Sequence, residues 1–281
     1  MPTKRAWRSE KGDVQVLSSE RLLVSGVATT ESIAAAVVER AIREGAEVLV
    51  AADPREVPAA EEARSGLVPA PPAVVVDATN EGELIMWESE LRRRWGRLDS
   101  APHAIPSAPR AALGSVMDVP AADVEVAVRM SVWTDAAFGR LVSRLAPPSG
   151  GSLVGLVFDD ARAWPVYTWM GPCRAALRAL NGYLARGLGA VGGRASLVAA
   201  GPRRPGAVLG IPDFGVLVDR WDHQARLAWV PADPSAVADA ICVPLPDLAR
   251  AITGEVLHVD SGVYAMATRL RDSPIEALET A

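Results

Sequence analysis

Two cysteines, Cys173 and Cys242, and three histidines, His103, His223 and His258, are all that the 281-residue chain holds of those two residue types. Two thiols make neither a disulfide framework nor a zinc knuckle, and histidines so scattered cannot form a metal cluster by spacing, so no metal is expected. Long apolar runs are missing too. The longest charge-free stretch, Leu145 to Phe158, contains Pro147, Pro148 and three glycines, well short of the ~18 apolar residues of a membrane helix. The N-terminus, with Lys4, Arg5, Arg8, Glu10, Lys11 and Asp13, lacks the apolar centre of a signal peptide. A cytoplasmic protein without membrane association is expected. With a net charge of −5 and alternating charge signs, there is no basic stripe, and nucleic acid is dropped as a partner because phosphate contacts dominate that affinity.

What the chain does have is apolar residues, 49 % of the total against 22 % charged, enough for one large α/β domain. Apolar runs of strand length fall at 22–25, 47–52, 73–76, 151–157, 195–199 and 255–259. They alternate with stretches of helical period at 32–44, 83–95, 121–145 and 174–190. That alternation is the pattern of βαβ units feeding a parallel sheet, and the continuous hydrophobicity of the strands fits burial on both faces. A further strand is due within "LDSAPHAIPSAPR" (98–110), where three prolines make it short or distorted. Residues 203–220 show weak periodicity among glycines and prolines and read as a loop or short mobile helices over a ligand. The predicted organisation is a poorly ordered extension over 1–20, a doubly wound domain over 21–268 and a tail over 269–281.

The segment "RLLVSGVATTESIAAAVVERAIREGAEVLVAAD" (21–53) reads strand, turn, helix, strand, acid. In a nucleotide-binding unit the glycine permits a tight turn by the pyrophosphate, the helix offers its free N–H groups, and the acid holds ribose hydroxyls. Gly26, Ser32, Ile33 and Asp53 would take those parts, although an ordinary βαβ turn capped by Ser32 reads equally well from this segment alone. The spacing in "GVATTESIA" resembles that of the enoyl-acyl-carrier-protein reductases, the divergent branch of the short-chain dehydrogenase/reductase superfamily. The resemblance continues in order through "VVVDATN" (74–80), "LDSAPHAI" (98–105), "LVGLVFDDARAWPVYTWM" (153–170), "SLVAAGP" (196–202), "RWDHQARLAW" (220–229) and "ITGEVLHVDSG" (252–262). The mycobacterial, NADH-dependent type is the most similar.

The resemblance implies a Rossmann-type doubly wound parallel sheet flanked by helices, a homotetramer and a place in fatty acid biosynthesis. It also implies hydride transfer from NADH to the β-carbon of an enoyl thioester, with Tyr167 stabilising the enolate oxygen and Phe158 between nicotinamide and substrate. Gly26, Ser32, Ile33, Asp77, Ala78, Ala104 and Ile105 fall on its cofactor-contact positions, and Asp53 favours NADH by repelling a 2′-phosphate. Trp221 and Arg226 read as structural, and Cys242 as a small buried hydrophobe.

Four positions depart from the family pattern. Arg174 stands seven residues after Tyr167, where the family has a lysine that holds the nicotinamide ribose hydroxyls and Arg174 would be a substitute ribose contact; Pro172 lies between them, Pro106 replaces a glycine and Pro205 replaces a threonine. Arginine's planar fork is not interchangeable with an ammonium, and a helix that starts near Gly171, where proline is tolerated, leaves Tyr167 outside it. Two readings follow. One is a working NADH-dependent enoyl reductase; the other is a homologue with a degraded nicotinamide site, acting as a non-redox scaffold or regulatory protein or as a cofactor-free tailoring enzyme.

Overall fold

The computed structural model describes residues 15–105, 109–113, 115–164, 167–203 and 214–266. Seven strands, β1 (Arg21–Ser25), β2 (Glu47–Ala52), β3 (Ala73–Val75), β4 (Ser100–His103), β5 (Ser152–Val157), β6 (Arg194–Ala200) and β7 (Val256–Val259), form one sheet in the order β3-β2-β1-β4-β5-β6-β7. Every pairing is parallel. Both faces are covered, as the sequence pattern requires. Along β1, Leu22 and Val24 enter the core under α1 (Ile33–Arg43), α7 (Phe214–Gln224) and α8 (Ser235–Cys242), whereas Leu23 enters the one under α3 (Glu81–Trp95) and α5 (Thr134–Leu145). Alternate side chains on a pleated strand point to opposite faces, so each strand feeds both layers. This is the doubly wound Rossmann-type arrangement, and its strand order reverses between β1 and β4.

β4 is the short strand expected within 98–110. It holds four residues, with Pro102 opposite Val154 of β5. The helices differ more from the sequence reading. The 121–145 stretch divides into α4 (Ala121–Val128), a π-turn over Arg129–Trp133 and α5. α6 (Met170–Gly189) starts four residues ahead of the predicted 174, α2 (Val57–Ser65) and α8 were not identified as helices, and α7 begins within the segment read as a loop or short mobile helices. Of the two readings of 203–220, α7 answers to the helical one: Phe214, Leu217, Val218 and Trp221 are all buried at helical spacing. The rest of that segment, 204–213, lies outside the described residues, as do Pro106, Pro205, residues 1–14 and the tail from 267.

Residues 15–20 are part of the fold, not of an extension. Leu17 is fully buried, its N–H donates to the Glu44 carbonyl, and the Glu20 carbonyl accepts from Glu47 N–H. Burial, reinforced by Asp99 and Asp247, pushes the Glu20 carboxyl up from 4.5 to about 7. A carboxyl that holds its proton more tightly when folded contributes stability that is complete below about pH 4.5 and is lost as pH rises through about 7. Glu20→Gln is therefore expected to leave the melting temperature unchanged near pH 4.5 and to raise it by about 2 °C near pH 8, read by thermal denaturation at both.

Candidate active site at the carboxyl edge of the sheet

The reversal in strand order places the C-terminal ends of β1 and β4 side by side. Gly26 follows β1 with φ of +89°, and a Cβ built on it would lie 2.0 Å from the Ala104 carbonyl oxygen. The glycine is demanded by this backbone approach itself. Ser32 caps α1, its Oγ accepting from Ala35 N–H at 3.1 Å. The N–H groups of Ile33 and Ala34, ahead of that cap, meet no hydrogen-bond acceptor among the described residues, and they stand at the positive end of the α1 dipole.

The end of β4 is locked by a polar chain that runs across the sheet. Thr134 Oγ1 donates to the Met130 carbonyl at 2.8 Å, so it must accept from His103 Nε2 at 3.0 Å. That leaves His103 Nδ1 bare, and it accepts from Ser25 Oγ at 2.7 Å. Burial, with the charge of Arg174 added, drives His103 down to about 3. The ring is neutral and packs on Phe138 at 4.4 Å.

On the predicted adenosine side, Asp53 is already engaged. Arg55 Nε and Nη2 donate to its two oxygens at 2.7 and 2.5 Å and the Arg55 N–H adds a third bond, which holds the Asp53 carboxyl below its usual range. The arginine faces Met130 Sδ at 3.9 Å. Asp53 thus meets any ribose or 2′-phosphate as half of a neutral pair, and Arg55 offsets the repulsion of a 2′-phosphate expected from Asp53 by itself. Asp77 Oδ1 accepts from Thr79 N–H and Oγ1 at 2.8 and 2.6 Å, and Ala78 is buried beside it. Asp77, Asn80 and Trp133 line a cleft of about 850 Å³, which does not take in the other predicted cofactor positions.

Tyr167 lies outside α6, as Pro172 required. The helix opens at Met170 behind Trp169, so Pro172 sits in the first turn, where its missing N–H is not needed. Thr168 takes the left-handed conformation, φ 44°, and its hydroxyl donates to the Ala112 carbonyl at 3.1 Å. This turn brings Tyr167 back over the helix. Arg174 Nε donates to Tyr167 Oη at 3.4 Å, and both side chains are buried. Phe158 packs at a tilt against Tyr167 at 4.7 Å between ring centroids, Trp221 against Phe158 at 5.5 Å, and Trp164 against Trp221 at 5.0 Å. Trp164 is fixed by its Nε1–H to Asp159 Oδ2 at 3.0 Å. The site pairs a phenol and a guanidinium in an apolar, water-poor wall, an arrangement suited to an oxyanion.

A family model described as enoyl-(acyl carrier protein) reductase matches residues 26–264. The chain belongs to the enoyl-acyl-carrier-protein reductase family. It is 32 % identical over 262 residues to the NADH enoyl-acyl-carrier-protein reductase of Mycolicibacterium smegmatis, covering 88 % of this chain and 97 % of that one. It is 30 % identical over 266 residues to that of Aquifex aeolicus (93 % and 97 %) and 28 % over 250 residues to that of Escherichia coli (88 % and 94 %).

Within this member of the enoyl-acyl-carrier-protein reductase family, Trp221 is a core residue, 1 % exposed, whose Nε1–H donates to the Asp260 carbonyl. Cys242 is buried and its thiol pushed up to about 12 by burial, so it behaves as an inert small hydrophobe. Among the described residues no cluster of three metal-ligating side chains occurs, and no helix is long and apolar enough to cross a membrane. Sequence reasoning missed Arg55, Trp164, His103 and Asp135. Trp164 was the most accessible of these, three residues ahead of Tyr167 in a stretch already singled out. Asp135 offered only a weak signal, an acid next to Thr134 in the apolar run "VWTDAAF".

Proposed function

We propose that this reductase-family protein reduces trans-2-enoyl thioesters with NADH, Tyr167 donating a hydrogen bond to the enolate oxygen and Arg174 orienting the phenol. The observation that carries this reading is the 3.4 Å contact between Arg174 Nε and Tyr167 Oη, enclosed by Phe158 and Trp221. The residues present fit a dinucleotide. The two free N–H groups at the start of α1 suit a pyrophosphate, and Gly26, Asp77, Ala78, Ala104 and Ile105 would line the remainder. Bound NADH supplies the hydride that the β-carbon accepts.

Charge then develops on the thioester oxygen, where the Tyr167 hydroxyl meets it; the Arg174 guanidinium, permanently charged, keeps the phenol aimed. Phe158 and Trp164 keep water from the reacting carbons. Trp164 also closes the apolar side against Trp221, which favours short acyl chains. The thioester of an acyl carrier protein as substrate and a homotetrameric state belong to the same reading. The test is NADH absorbance with trans-2-butenoyl and trans-2-dodecenoyl thioesters. NADH is expected to be consumed in step with saturated thioester, faster for the four-carbon chain. Failure to consume NADH with either would overturn the reductase reading.

A further inference from the structure

Four buried acids of the described residues have distinct situations. Asp99 pairs with Arg97, Asp159 binds Arg162 and Trp164, and Asp260 accepts from Gly262 and Tyr264 N–H groups. Asp135 is different: it is 1 % exposed, and its Oδ1 has no hydrogen-bond partner. It sits at the start of α5, directly after the Thr134 that binds His103. β5 makes room for it with a glycine, since a Cβ on Gly155 would lie 2.8 Å from Asp135 Oδ1. α6, packed against α5, carries Arg174, 2 % exposed.

We propose that Asp135 is a positioning residue, the buried counter-charge that aims the Arg174 guanidinium at Tyr167. No direct ion pair within 4 Å joins the two among the described residues, so the attraction acts through space inside a low-dielectric core, where it is little screened. The other titratable groups by this pair are Tyr167, whose Oη the Arg174 Nε reaches, His103 on β4, which is neutral, and Cys173 on α6, whose thiol burial pushes up; from β5, Gly155 comes against Asp135. Burial raises the Asp135 carboxyl to about 7, with Arg174 the charge that opposes the rise. A raised carboxyl costs stability once pH climbs past its unfolded value, so this acid is retained at a cost. Its catalytic meaning rests on the reductase reading; its coupling to Arg174 does not.

The test is a double-variant cycle of Asp135→Asn and Arg174→Met, followed by thermal denaturation at about pH 5.5 and 8.5. At pH 5.5 Asp135 is protonated with or without Arg174, and Asp135→Asn should shift the melting temperature equally in both backgrounds. At pH 8.5 Asp135→Asn should raise it in both, by about 2–4 °C more in the Arg174→Met background, where no positive charge relieves the carboxylate. Arg174→Lys, which keeps the charge, should give the parent's increment and covers the case in which Arg174→Met does not fold. Equal increments at pH 8.5 in every background would overturn the proposal.

A second readout separates positioning from stability. Asp135→Asn should lower kcat with the butenoyl thioester about tenfold at unchanged KM, and flatten a parent kcat that rises with pH through about 7. An unchanged kcat and pH profile would equally overturn it. Coupling in the melts without any turnover by the parent would sink the reductase reading alone.

Discussion

Replacing Gly26 by alanine is expected to lower the melting temperature by about 10 °C. Two costs combine. The residue holds φ at +89°, where a side chain is strained, and the new Cβ would lie 2.0 Å from the Ala104 oxygen and 2.5 Å from its carbon. Neither strand end can retreat easily. β1 is hydrogen-bonded on both sides, and β4 is tied to it and to α5 through Ser25, His103 and Thr134. Together these come to about 3 kcal/mol or more, and each 1 kcal/mol moves the melting point of a protein this size by about 2–4 °C. Gly96 separates the two costs. It also has a positive φ, 72°, but nothing lies within 4 Å of a Cβ there, so Gly96→Ala should cost about 1 kcal/mol. Equal losses at the two positions, measured by thermal denaturation, would show that β1 and β4 do not approach as described.

The second large effect concerns Tyr167. Tyr167→Phe keeps the ring that packs against Phe158 at 4.7 Å and removes only the oxygen that Arg174 Nε reaches. If the hydroxyl meets an enolate, kcat with an enoyl thioester should fall by roughly 10²–10³-fold, the usual loss when one oxyanion donor is removed, with KM little changed. The melting temperature should stay within about 2 °C, because the hydroxyl makes one long, neutral-acceptor bond. A variant that melts normally and turns over normally would remove Tyr167 from the chemistry.

Much of this fold was legible in the amino-acid order. The strands could be read because each is apolar on both faces and short, a pattern that few other elements share. β4 was placed despite Pro102, since the alternation left one strand owing between 98 and 110. α2 and α8, of nine and eight residues, were missed because so short a helix gives barely two turns of period. α7 was hidden behind the glycines and prolines that precede Phe214.

Of the candidate site residues, Phe158, Tyr167 and Arg174 are brought together, and all three were named from contiguous motifs, as were Gly26 and Ser32. The Tyr167–Arg174 contact forms although Tyr167 stands outside the helix. The left-handed Thr168, just ahead of the helix, brings the tyrosine back to the arginine. Asp135 and His103 escaped because their meaning depends on packing between elements distant in the chain, which spacing rules do not see. Arg55 was overlooked for a simpler reason: an acid at the end of β2 drew attention, and the arginine two residues later did not.

The polar chain from Ser25 through His103 to Met130 has one more effect. A proton-sensitive step near neutrality is ordinarily credited to an imidazole, but His103 carries no exchangeable charge anywhere near that range. The groups that burial brings to about 7 are instead carboxyls, Glu20 and Asp135. Carboxyl ionisation has an enthalpy near zero, whereas imidazole ionisation is strongly endothermic. The midpoint of a step set by Glu20 or Asp135 should therefore hardly move between a cold and a warm assay, so that its temperature coefficient names the group where its position would mislead.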